Sequence, residues 1–254
     1  MTDRTDAGAP VALLTQTGDY VGPALARVLH ASGHRLVLHG AKPALVDELT
    51  AAGAELEVVA QADADLTTPA GNERVVAAAL ERFGRIDAAC LVTGFILTGP
   101  FAGVTTEQWD GVKTANLDMV FHGLQAVLPP MVDAGRGQVV VFTSATGANP
   151  QPRVAAYSAT RAGANALVRA VGLEYAKTGV VVNAIGTNYM DFPGFLHASG
   201  ADRDPERRAK IEAQNPMQRL GTMDELAEFT AVLLDGRSRF QTGQFFSYSG
   251  GWSA

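Results

Sequence analysis

The sequence predicts an α/β fold: one doubly wound domain, a parallel sheet of about seven strands flanked by helices. Three observations predict it. Segments of strand character alternate with segments of helical character along nearly the whole chain. The strand segments are almost continuously apolar, as strands covered on both faces must be. No linker, repeat or low-complexity stretch divides the 254 residues.

Residues 1–9 read as a disordered tail before a domain spanning 10–254. The first strand is 11–14. A turn over 15–22 leads to a helix over about 23–32, with Pro23 in the first turn, where its missing N–H costs nothing. Gly33 ends that helix. A strand at 35–39, a helix over 43–52 and a strand at 55–59 follow. A helix over 71–83 precedes the strand 87–92. A long helix over 107–132 leads to the strand 138–143. The next helix carries Tyr157 and runs to about 177, and the strand 180–185 follows it. Residues 187–200 read as an irregular loop. Helices near 204–214 and 224–235 and a short strand at 243–247 complete the chain.

Hydrophobic residues make up 47% of the chain and charged residues 18%, enough for a sizeable core. The net charge of −6 and the absence of a basic stripe argue against nucleic-acid and membrane partners. The single cysteine, Cys90, lies in an apolar run and reads as a small buried hydrophobe. The five histidines form no spaced ligand cluster, so no metal is expected. The polar N-terminus and the lack of an apolar run of ~20 residues point to a cytoplasmic protein.

Chemistry concentrates between residues 144 and 161. Ser144 follows an apolar strand. Tyr157 and Arg161 are four apart at the start of a small-residue helix, so they share one helical face. The turn at 15–22, Thr93 and Gly94, Ser144 and the stretch 186–190 all fall at carboxyl ends of strands, where doubly wound sheets bind ligands.

This pattern resembles the short-chain dehydrogenase/reductases over nearly the whole chain, with a Rossmann-like fold implied. It carries their Ser–x12–Tyr spacing, the strand–turn–helix opening and Asn116 in the long helix. Four departures stand out. Arg161 replaces the family's Lys. Gln16 and Tyr20 replace the first two glycines of the dinucleotide turn, leaving Gly22. His39 and Gly40 stand where a ribose-binding acid is expected. Leu91-Val-Thr-Gly94 and Thr187-Asn188 replace the Asn-Asn-Ala-Gly and Pro-Gly motifs.

The combination also resembles the halohydrin dehalogenases, marked by Thr–x4–Phe/Tyr–x–Gly (Thr15, Tyr20, Gly22) and Ser–x12–Tyr–x3–Arg (Ser144, Tyr157, Arg161). That resemblance implies a lyase that closes vicinal halohydrins to epoxides. Halide and a proton are released, and the reverse opens epoxides with azide, cyanide, nitrite or halide. It implies no NAD(P), and a halide ion as product or ligand. A tyrosine ordinarily ionises near pH ~10, so a phenolate base needs a nearby cation. On this expectation Tyr157 is the general base, Arg161 its activating cation, and Ser144 the donor to the substrate oxygen. Tyr20, Thr187, Asn188, Tyr189 and Met190 would line the halide and substrate pocket, with Phe192, Phe195, Leu196 and Trp252 further out. The resemblance further implies a homotetramer. Two other readings stay open: a divergent NAD(P)-dependent reductase that tolerates Arg161, and a non-catalytic binding protein on the same fold.

Overall fold

The structure is a computed structural model that describes residues 8–253. The expected tail therefore lies, but for its last two residues, outside the described residues. Seven parallel strands form one sheet in the order β3-β2-β1-β4-β5-β6-β7. They are β1 (Val11–Leu14), β2 (Arg35–His39), β3 (Leu56–Val59), β4 (Ala88–Leu91), β5 (Gly137–Ser144), β6 (Val180–Thr187) and β7 (Phe245–Tyr248). The helices are α1 (Gly22–Ala31), α2 (Pro43–Ala51), α3 (Pro69–Phe83), α4 (Thr106–Lys113), α5 (Met119–Asp133), α6 (Ala155–Glu174), α7 (Pro193–Ser199), α8 (Pro205–Ala213) and α9 (Met223–Leu234). The order reverses at β1 and β4, and a crevice opens there beyond the strand ends. This is the single Rossmann-like domain the alternation predicted.

Side chains alternate across the sheet and feed two cores. Leu13, Val37, Val139 and Val182 face the side covered by α3, α5 and α6. Leu14, Leu36, Val140 and Ile185 face the side covered by α1 and α9. Both faces are buried, which is why the strand segments read as almost continuously apolar.

Two expectations need correction. The long helix over 107–132 is interrupted by a π-helical turn at Thr114–Asp118. Asn116 is fully buried there, and its amide donates to the carbonyl oxygens of Val112 and Phe95 at 2.8 and 3.1 Å. A side chain that competes for backbone carbonyls loosens regular helix geometry. The stretch 187–200 is not irregular throughout, because it contains α7. Pro193 sits in the first turn of that helix and Gly200, at φ 76°, ends it.

The strand ends are tied below the crevice by Asp87, which accepts the Val11 N–H at 2.9 Å and pairs with Arg85 at 2.6 Å and Arg136 at 3.1 Å. Burial pushes its carboxyl up, but these partners outweigh that and hold it below the usual carboxylate range. A depressed carboxylate contributes stability above its unfolded pKa of ~4 and loses it as pH falls through the native value. Asp87→Asn should therefore lower the melting temperature at pH ~7, and the difference from wild type should shrink in thermal melts as pH falls through the depressed native value.

Candidate active site

At the crevice lies a cavity of about 570 Å³, with Ser144, Tyr157 and Arg161 in its lining. Ser144 is the last residue of β5, opposite Thr187 at the end of β6. Its hydroxyl shares a 2.9 Å hydrogen bond with the Thr146 hydroxyl and accepts the Thr146 N–H at 3.2 Å. Tyr157 and Arg161 lie on the first two turns of α6, and both are buried. The Arg161 guanidinium carbon lies over the Tyr157 ring, 5.4 Å from its centroid. The i, i+4 expectation thus corresponds to a stacked pair.

Tyr20, Thr187, Asn188, Tyr189 and Met190 all line the same cavity, as do Phe192 and Phe195. Leu196 and Trp252 are not in its lining; Trp252 packs instead on Tyr189, ring centroids 5.8 Å apart. Tyr20 points inward. Its ring meets Phe142 and Phe192 edge-on at 5.5 and 4.7 Å, and its hydroxyl shares a 2.6 Å hydrogen bond with the Thr187 hydroxyl. Burial pushes the Tyr20 phenol well up, against the opposing effect of Thr187, so it stays protonated. Cys90, fully buried behind it, is held as a neutral thiol by the same desolvation.

The stretch after β6 spends backbone dipoles internally. The Asn188 N–H donates to Tyr248 O at 3.4 Å, and the Tyr189 N–H donates to the Asn188 side-chain oxygen at 3.0 Å. Two backbone donors of this stretch thus already have partners in the chain.

Sequence reasoning missed Thr93 and Phe142 as partners of Arg161. The guanidinium donates to Thr93 Oγ1 at 3.1 Å, Thr93 O at 2.6 Å and Phe142 O at 3.3 Å. Phe95, Ile96 and Val154 also line the cavity, and no spacing signal marks them.

A family model described as Enoyl-(Acyl carrier protein) reductase matches residues 19–253. The chain belongs to the short-chain dehydrogenase/reductases. Among relatives, a D-beta-hydroxybutyrate dehydrogenase of Rhizobium meliloti is 28% identical over 253 residues, 96% of this chain and 98% of its own. A 2,5-dichloro-2,5-cyclohexadiene-1,4-diol dehydrogenase of Sphingobium indicum is 28% identical over 247 residues, 96% of each chain. Among solved structures, levodione reductase superposes with a TM-score of 0.87 at 30% identity, covering 96% of this chain and 97% of its own. A variant of actinorhodin polyketide ketoreductase with NADPH superposes with a TM-score of 0.89 at 28% identity and the same coverage.

These likenesses overturn the expectations of a dehalogenating lyase that forms or opens epoxides and of a chemistry free of NAD(P). The named relatives are dehydrogenases and reductases, and one is described with NADPH. The physical reason lies in the turn after β1. Loss of two glycines pointed to a lost nucleotide site, yet the backbone of the turn keeps its shape. Gln16 and Tyr20 hold φ of 49° and 54°, the left-handed region a glycine would occupy. Gly22 still allows α1 to start against the turn: a Cβ there would stand 2.6 Å from the Thr17 backbone.

The same turn tests the fit of a dinucleotide. Its backbone fits, and its side chains in this arrangement do not. The Tyr20 ring fills the gap between Phe142, Phe192 and Thr187. The Gln16 N–H donates to His39 Nδ1 at 3.3 Å, while His39 Nε2 lies 3.0 Å from Ala64 O. Both nitrogens of His39 are thus engaged, and burial pushes its pKa down, so the ring is neutral and turned inward.

Proposed function

We propose that the chain is a divergent NAD(P)-dependent short-chain oxidoreductase that interconverts a small, largely apolar, uncharged alcohol and its ketone. The observation that carries this is the convergence of Ser144, Tyr157 and Arg161 on one cavity at the carboxyl ends of β5 and its neighbours. A nicotinamide bound at the strand ends would supply the hydride, and the chain's own groups would handle the oxygen. Ser144 donates to the substrate oxygen. Tyr157 exchanges the hydroxyl proton with it. Arg161 supplies positive charge beside that exchange, in place of the usual Lys.

The walls support the substrate class. Phe95, Ile96, Phe192 and Phe195 surround the approach with apolar surface. The Arg161 terminal nitrogens already serve chain oxygens, so the guanidinium is not set to grip a substrate carboxylate. The reading includes a homotetramer. Trp109 on α4 and Phe121 on α5 are 40% and 46% exposed and offer apolar contact surface.

The test is absorbance-monitored oxidation of NADPH and NADH against a panel of cyclic and aryl ketones, with fluorescence titration of both cofactors. Turnover with at least one pair is expected. Neither binding nor turnover would remove the reading. Tyr20 is the residue that must give way to the dinucleotide. Tyr20→Gly restores the small residue at an already left-handed φ, and should tighten NADPH at least tenfold, a gain of about 1.4 kcal/mol. Unchanged affinity would show that the ring is no obstacle.

A further inference from the structure

Arg161 is held by a residue outside both recognisable motifs. It is only 4% exposed, and its terminal nitrogens donate to three oxygens, two of them on Thr93. All three are neutral: the Thr93 hydroxyl, the Thr93 carbonyl and the Phe142 carbonyl. No carboxylate is among its hydrogen-bond partners in the described residues, and its Nε has none. A buried cation held by neutral dipoles is fixed in place without losing its charge to a counter-ion.

Thr93 is itself rigidly placed. It lies just beyond β4, and its neighbour Val92 is tied across to β1. The Val92 N–H donates to Thr15 Oγ1 at 2.9 Å, and that hydroxyl lies 3.2 Å from Val92 O. Thr15, part of the turn motif, thus fixes the residue that precedes Thr93.

We propose that Thr93 is a positioning residue: it holds the Arg161 guanidinium over the Tyr157 ring, so that the full charge bears on the Tyr157 hydroxyl. The surroundings contain little else that could do so. From α4, Val112 packs on Tyr157, and Leu97, Val104 and Val154 complete an apolar cluster. From the turn after β1 comes Tyr20, and from β4 Cys90, both kept neutral by burial. Ser144 and Thr187 close the β5 and β6 side without charge. Asp19 also lines the cavity but is paired with Lys42, and Arg161 is the charged group set over the Tyr157 ring, where Thr93 holds it.

The test needs neither cofactor nor substrate, so its outcome is separate from that of the proposed reaction. Tyrosinate absorbance is titrated from neutral pH to about 12, and the step that Tyr157→Phe removes is assigned to Tyr157. Thr93→Val keeps the shape and deletes the hydroxyl acceptor. It should move that step to higher pH by about half a unit or more, roughly a threefold weaker ionisation. Thr93→Ser keeps the hydroxyl and should bring the step back to within about 0.2 unit of wild type. Near-ultraviolet circular dichroism checks folding, and Thr93→Ala replaces the Val variant if that one fails to fold. Equal behaviour of the Ser variant and the hydroxyl-free variant, whether both wild-type or both shifted, overturns the proposal. So does a wild-type titration in which Tyr157→Phe removes no step below about pH 12.

Discussion

Tyr157→Phe should lower ketone-reduction turnover by about two to four orders of magnitude, the usual worth of a positioned proton donor. The ring would remain against Val112 and Ala156. Only a hydroxyl is lost, so the melting temperature should move by less than about 3 °C. The same variant should bind NADPH as wild type does, because the changed atom acts at the substrate oxygen. Steady-state rates at saturating cofactor, set beside a thermal melt, check both halves. A variant that retains more than about a tenth of the wild-type rate would remove Tyr157 from the chemistry.

Gly94→Ala should be among the most damaging single-methyl additions near the site. Gly94 has φ 91°, and a Cβ there would stand 2.0 Å from the Asn116 side-chain oxygen and 2.5 Å from Arg161 Nη2. The left-handed backbone costs a non-glycine residue roughly 1–2 kcal/mol. Overpacking beside a buried amide and a buried guanidinium adds about 1–3 kcal/mol. A loss near 3 kcal/mol corresponds to about 6–12 °C in melting temperature for a chain of this size. Turnover should fall further than stability explains, because the displaced guanidinium is the one stacked on Tyr157. A variant that melts like wild type with full activity would show that Asn116 and Arg161 can both move aside at no cost.

Both results turn on groups that differ in how far the sequence reveals them. Ser144, Tyr157 and Arg161 were legible because each signal is local: a hydroxyl at a strand end and two side chains one helical turn apart. Tyr20 was legible as an aromatic where a glycine is expected, and it does enter the cavity. What was misjudged is the meaning of that substitution. Side-chain identity at Gln16 and Tyr20 suggested a lost nucleotide site, whereas backbone torsions, which residue letters do not report, kept the shape of the turn. Thr93 was legible as a strand-end residue, but its contact with Arg161, like that of Phe142, could not be found from spacing. The two residues meet Arg161 across 68 and 19 residues of chain, through strands brought together only by the sheet.

The sequence by itself determined the strand–helix alternation, the parallel sheet, the cleft at the strand ends and the Ser–Tyr–Arg set, because periodicity and short-range spacing are written in consecutive residues. Tertiary structure alone decided that the Asn116 amide reaches Phe95, that the Tyr20 hydroxyl reaches Thr187, and that neutral oxygens hold Arg161. Each of these is a contact between segments distant in the chain, fixed by packing that no local pattern encodes.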